Sequence, residues 1–170
     1  MYVLDATPLI TLAHADRLAV LNGIDDPCRV PERVYHEVVT DGIEAGYPDA
    51  RRIERAVDDD RLAVEAVAET DQFDGLRSAP TLSAADAAML RLADQHDATA
   101  VMDEQAGRAV ADAAGIRTRG TAYLVCSLVR DGKRDSETAV AIIDDMIDAG
   151  WHCSTGLYRQ ILYRIDELGD

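Results

Sequence analysis

Four acidic side chains stand where short apolar runs end or helices begin. Asp5 closes MYVLD, Glu37 lies in VPERVYHEVV, Asp86 in LSAADAAMLRLA, and Asp103 closes ATAVMD. In an open parallel sheet, ligands bind outside the carboxyl ends of the strands, so aspartates terminating two strands share one edge. Helices that pass this edge within their first one or two turns bring Glu37 and Asp86 to it. Two carboxylates about 4 Å apart repel by roughly 4 kcal/mol at an effective dielectric of 20; a set of four is costly unless a cation sits among them. All-oxygen ligation suits Mg²⁺ or Mn²⁺ better than Zn²⁺, and no His/Cys set here has zinc spacing. Such ions generate hydroxide from water and neutralise charge on phosphate. The chemistry such a set would suit is phosphodiester hydrolysis.

Each acid also has a purely structural use. Asp5 can cap the first helix, although Thr7 is the better-placed cap. Asp86 follows Ser83 by three positions, which is a capping-box spacing. Glu37 can be a solvated helix residue. Asp103 is followed by Glu104, and either suits the positive end of the next helix; Glu104 is also spaced i,i+4 from Arg108 for an ion pair.

The elements that must position these acids alternate. Strands are expected at Tyr2–Leu4, near Cys28–Val30, in ATAVMD and in IRTRG, while RLAVEAVAE has a strand-like apolar character that also fits a helix. Between them lie a helix through His14, with Thr7 and Pro8 at its start, and a helix opened by Pro31 that turns Val34 and Val38 to one face. A short amphipathic helix follows within DGIEAGYPDARRIERAVDDD. Ser83 caps the next helix, and EQAGRAVADAA forms another, closed by Gly115. Thr121 is placed to cap TAYLVCSLVRDG, and ETDQFDGLRSAP is expected to be a loop. Alternation of this kind gives an α/β fold, a mostly parallel sheet with helices on both faces. Two further amphipathic helices, over about residues 135–170, extend it. The 170 residues are expected to form one domain.

Composition narrows the setting. No apolar run approaches the roughly 18 residues of a membrane span, and no signal or transit pattern opens the chain, so a cytoplasmic protein is expected. Three scattered cysteines, Cys28, Cys126 and Cys153, read as buried thiols. The formal charge of −15, with Lys133 the sole lysine, fits a cytoplasm rich in salt, where self-repulsion is screened. An acidic surface disfavours nucleic acid in dilute buffer, but at molar salt the Debye length is about 3 Å, leaving arginines such as Arg51, Arg52, Arg117 and Arg119 free to touch phosphates. The scattered histidines are not expected in catalysis. Trp151 and Tyr158 are expected to pack the tail.

VLDATPLITLA, VPERVYHEV, LSAADAAMLRLA, AVMDEQAGRAVADAAGI and RGTAYLV, taken in order, resemble the successive motifs of PIN-domain nucleases, in particular the VapC-like toxin branch. GWHCSTGLYRQIL resembles the C-terminal helix of that branch. The likeness spans nearly the whole chain and is weakest over residues 42–81. It implies a three-layer PIN fold and a metal site formed by Asp5, Glu37, Asp86 and Asp103, with Thr7 accompanying the first aspartate. The implied activity is Mg²⁺- or Mn²⁺-dependent cleavage of RNA, often by a homodimer and restrained by a small antitoxin. Arg108 is placed to contact phosphate or to pair along its helix. Many relatives carry glutamate where Asp86 stands, so metal position is open to change.

Other aspartate-bearing folds fit less well. A receiver domain needs a lysine after its last strand, and Lys133 lies beyond a helix; a haloacid-dehalogenase-type phosphatase needs an aspartate where Thr7 stands. The remaining alternatives keep the fold: a PIN module that binds or assembles without turnover, and a PIN nuclease of RNA maturation or decay.

Overall fold

A computed structural model describes residues 1–67 and 82–169. Five strands form one parallel sheet: β1 (Tyr2–Leu4), β2 (Cys28–Pro31), β3 (Ala63–Glu65), β4 (Thr99–Val101) and β5 (Thr118–Arg119), in the order β3-β2-β1-β4-β5. Val3, Leu4, Val30, Ala100 and Val101 are fully buried, as apolar strands covered on both faces must be. The chain runs outward from β1 to β3, then returns to lay β4 on the other side of β1. That reversal makes the β1/β4 boundary the topological switch point, where open sheets bind ligands.

Right-handed crossovers place the helices after β1 and β2 on one face and those before β4 and β5 on the other. On the first side lie α1 (Ala6–His14) and α4 (Pro48–Asp58), which pack together; a single turn α2 (Glu32–Tyr35), which packs against the helix Ala84–Gln95, leads through a π-helical stretch His36–Asp41 and the short α3 (Gly42–Glu44) to α4. On the second lie α5 (Ala84–Gln95), packed against β1, β2 and β4, and α6 (Gln105–Ala113) against β5. Then α7 (Thr121–Arg130), α8 (Ser136–Asp148) and α9 (Thr155–Gly169) pack on one another, and α8 also reaches α1. The α/β, three-layer expectation therefore holds, with a sheet that is wholly parallel. The expected loop ETDQFDGLRSAP lies outside the described residues.

Local chemistry explains most boundaries. Ser83 caps α5: its hydroxyl accepts from the Asp86 N–H at 3.0 Å and the Asp86 carboxylate accepts from the Ser83 N–H at 2.9 Å. Gly115 follows α6 at φ +74°, a backbone setting that favours glycine. Two expected caps are corrected. The first helix starts at Ala6, so Thr7 is its second residue and Asp5 holds the cap position without making a capping bond. Likewise Gly120, not Thr121, precedes α7. Cys28 and Cys126 are buried free thiols, and burial pushes the Cys28 thiol up to about 12, far from a reactive thiolate. Cys153 is only half-buried.

Candidate metal and nucleic-acid site

β1 and β4 are in register as Leu4 beside Val101, and the Asp5 N–H donates to the Val101 carbonyl at 3.1 Å. Asp5 and Asp103 therefore leave neighbouring strands at the same edge. Asp5 is buried, 6% exposed. Burial pushes its carboxyl up to about 6; the Ala6 N–H pulls it down, and the charges of Asp86, Glu37 and Glu104 push it up again. Four carboxylates thus share one electrostatic neighbourhood around Asp5. Glu37 reaches it from the π-helical stretch, which widens the helix there, a form common at functional sites. Asp86 reaches it from the first turn of α5.

Asp103 is organised differently. Its Oδ1 accepts the Thr121 N–H at 2.7 Å, and its Oδ2 accepts the Thr121 hydroxyl at 2.7 Å and the Trp151 indole N–H at 2.9 Å. The carboxylate sits at the positive end of α7, where an anion is favoured. Thr121 is fully buried, so desolvated donors hold Asp103 in one orientation. Gly120 makes this close approach possible: a Cβ there would stand 3.0 Å from Asp103 Oδ1 and 3.8 Å from an Arg108 guanidinium nitrogen.

Several expectations change. Glu104 and Arg108 share only a backbone bond, Arg108 N–H to the Glu104 carbonyl at 3.1 Å; Glu104 acts on Asp5 instead. Among the described residues Arg108 makes no ion pair. Arg51 pairs with Glu54, Arg52 donates to the Ala13 carbonyl, and Arg117 pairs with Asp97, ahead of β4 and so at the far edge of the sheet. Arg119 stacks over Tyr123 at 5.2 Å. Those four arginines are occupied by the protein itself. Tyr158 donates to Asp144 at 2.7 Å, while Trp151 leaves the tail to hold Asp103. Thr7 is exposed, on α1 two residues beyond Asp5.

The donor set is all oxygen, and Asp5 is a buried charge whose like-charged neighbours raise its cost, which is the chemistry a hard divalent cation relieves. Among the described residues, however, no three of His, Cys, Asp or Glu lie close enough to hold one ion as their side chains stand. Asp86 is turned to Ser83, and Asp103 to Thr121 and Trp151. The residues fit such an ion by type and by edge, with ligation requiring Asp86 to rotate off its cap while Asp103 keeps the orientation set by Thr121 and Trp151.

A family model described as a PIN domain, DUF3368, matches residues 1–167. With this parallel sheet and its acidic edge, the chain belongs to the PIN-domain family, whose members are generally nucleases. No curated protein gives a significant match. No helix among the described residues is long and apolar enough to cross a membrane.

Proposed function

We propose that the protein is a Mg²⁺- or Mn²⁺-dependent endoribonuclease, one PIN unit over residues 1–170 with a C-terminal helical extension over about 135–170. The observation that carries this reading is Asp5 at the switch point of the sheet, made costly as an anion first by burial and then by the charges of Asp86, Glu37 and Glu104. Asp5, Glu37, Asp86 and Asp103 would hold the cation, which when bound supplies hydroxide near neutral pH and offsets charge on the phosphate. The chain's own part is positional. Asp5 presents a carboxylate from a rigid strand end, and Thr121 and Trp151 fix the orientation of Asp103. The Thr7 hydroxyl and Arg108, which makes no ion pair among the described residues, would bond phosphate oxygens, Arg108 by its planar fork. In-line attack at phosphorus breaks the bond to the leaving oxygen, and the fixed carboxylates keep water and phosphate aligned.

The VapC-like motifs add a toxin restrained by a small antitoxin, and a homodimer acting on cytoplasmic RNA. A strongly acidic chain of this kind would work best in concentrated KCl. A second reading, a PIN module that binds or assembles without turnover, is favoured by one observation: Asp86 and Asp103 are already satisfied by protein donors. A role in RNA maturation differs from the toxin reading in genomic neighbourhood rather than chemistry. The deciding assay is cleavage of a mixed-sequence RNA with Mn²⁺ and with chelator. Metal-dependent cutting lost in Asp5→Asn and Asp103→Asn supports the nuclease; no cutting by the parent protein in dilute or molar KCl supports the binding module.

A further inference from the structure

Beside Asp103 the C-terminal helices enclose a cavity of about 660 Å³, within the size range of small-molecule sites. Its lining includes Asp103 and, around it, Arg108, Tyr123, Arg130, Trp151, Leu157 and Arg164. Three cations around one hollow are conspicuous in a chain of formal charge −15. Two are committed. Arg130 donates to both Asp131 carboxylate oxygens and to the Tyr123 hydroxyl, each at 2.8 Å, and Arg164 pairs with Glu167 at 3.3 Å. Arg108 alone has no ion pair among the described residues, and its guanidinium flanks Gly120 on the side of Asp103. Apolar side chains, Leu157, Ile161 and Leu168, form the rest of the floor with Trp151.

We infer that this cavity is a nucleotide subsite, holding the unit of the substrate strand next to the phosphate that is cut. The inference rests on the nuclease reading for its setting and extends it to selectivity. The occupant is argued from chemistry: a flat, weakly polar base suits the Trp151 and Leu157 walls, a phosphate suits the uncommitted Arg108, and continuity with Asp103 places that phosphate beside the acids. A base seated there has left its stack, at a cost offset by contact with aromatic and apolar walls. The C-terminal helices α7 and α9 are then the wall that selects which nucleotide is cut, rather than an appendage.

Trp151 is the only tryptophan in the chain, so its fluorescence reports the cavity directly. The full-length protein, with EDTA present, is titrated with each of the four ribonucleoside 5′-monophosphates and with inorganic phosphate. At least one monophosphate should quench saturably, and at least tenfold more tightly than inorganic phosphate acts. Leu157→Phe, which narrows the cavity, should weaken that binding tenfold or more; Arg108→Gln, on another wall, should do likewise and keeps the test decisive where Leu157→Phe fails to fold. Equal response to all monophosphates and to inorganic phosphate, or binding indifferent to both cavity variants, overturns the subsite and leaves the nuclease reading standing. Selective binding in a protein without metal-dependent cleavage supports the cavity as a nucleotide-binding site and removes the nuclease reading along with the cut phosphate.

Discussion

The indole N–H of Trp151 donates to Asp103 Oδ2 at 2.9 Å across 48 residues of sequence. This bond couples the segment between α8 and α9 to the acidic edge of the sheet. Together with Thr121 it saturates one carboxylate oxygen and half-satisfies the other, so Asp103 enters any cation site already oriented. Donors behind metal ligands contribute in this way elsewhere, and their removal typically costs 10- to 100-fold in affinity or activity.

Trp151→Phe keeps an aromatic ring, though a smaller one, and removes the donor. Mn²⁺ affinity measured by calorimetry should fall about tenfold or more, while thermal unfolding of the metal-free protein shifts little. An unchanged Mn²⁺ affinity would make the bond a packing detail.

Gly120→Ala puts a methyl 3.0 Å from Asp103 Oδ1 and near Arg108. Displacing a reacting group by about 1 Å can cost 10²-fold, so RNA cleavage should drop by roughly that factor with circular dichroism intact. Parental cleavage rates would show that Asp103 tolerates displacement.

Asp86 serves a cap and, in the proposed function, a cation. Ser83→Ala removes the cap alone and should cost about 1 kcal/mol in urea unfolding with cleavage retained. Asp86→Ala should cost a similar amount of stability and also abolish cleavage. Equal cleavage by the two variants would reduce Asp86 to a helix cap.

Asp5 is held protonated up to about 6 in the fold, against an ordinary 3.8. The native state therefore binds more protons than the unfolded state between these values, and stability is present below about pH 4 and lost as pH rises through about 6. A rise from 3.8 to about 6 corresponds to about 3 kcal/mol. In chelator, Asp5→Asn should match the parent near pH 4 and exceed its stability by up to that amount at pH 7.5. A constant difference between the two proteins from pH 4 to 7.5 would mean that Asp5 is not a costly buried anion.

Much of the frame was legible because it is written locally. Alternating apolar runs mark β1, β2 and β4, and the Ser83-x-x-Asp86 spacing gives the capping box that α5 uses. The start of α1 was misread for a physical reason. A proline is tolerated throughout the first turn, where N–H groups lack helical partners; Pro8 therefore does not fix the first residue, and Asp5 rather than Thr7 occupies the cap. The acids at strand ends could be named from topology, but not their surroundings. The Trp151 bond to Asp103 and the influence of Glu104 on Asp5 depend on long-range packing that no spacing encodes. Nor does a count of arginines reveal that Arg51, Arg52 and Arg117 bind their own protein while Arg108 makes no ion pair among the described residues.

The central claim is that a divalent cation joins these acids across the β1/β4 edge, and crystals soaked in millimolar Mn²⁺ test it through anomalous scattering. The expected result is a manganese peak bonded to both Asp5 and Asp103, with the Asp86 side chain rotated away from Ser83. A map without such a peak, or with manganese only on other acidic surfaces while Asp86 keeps its cap, would contradict it.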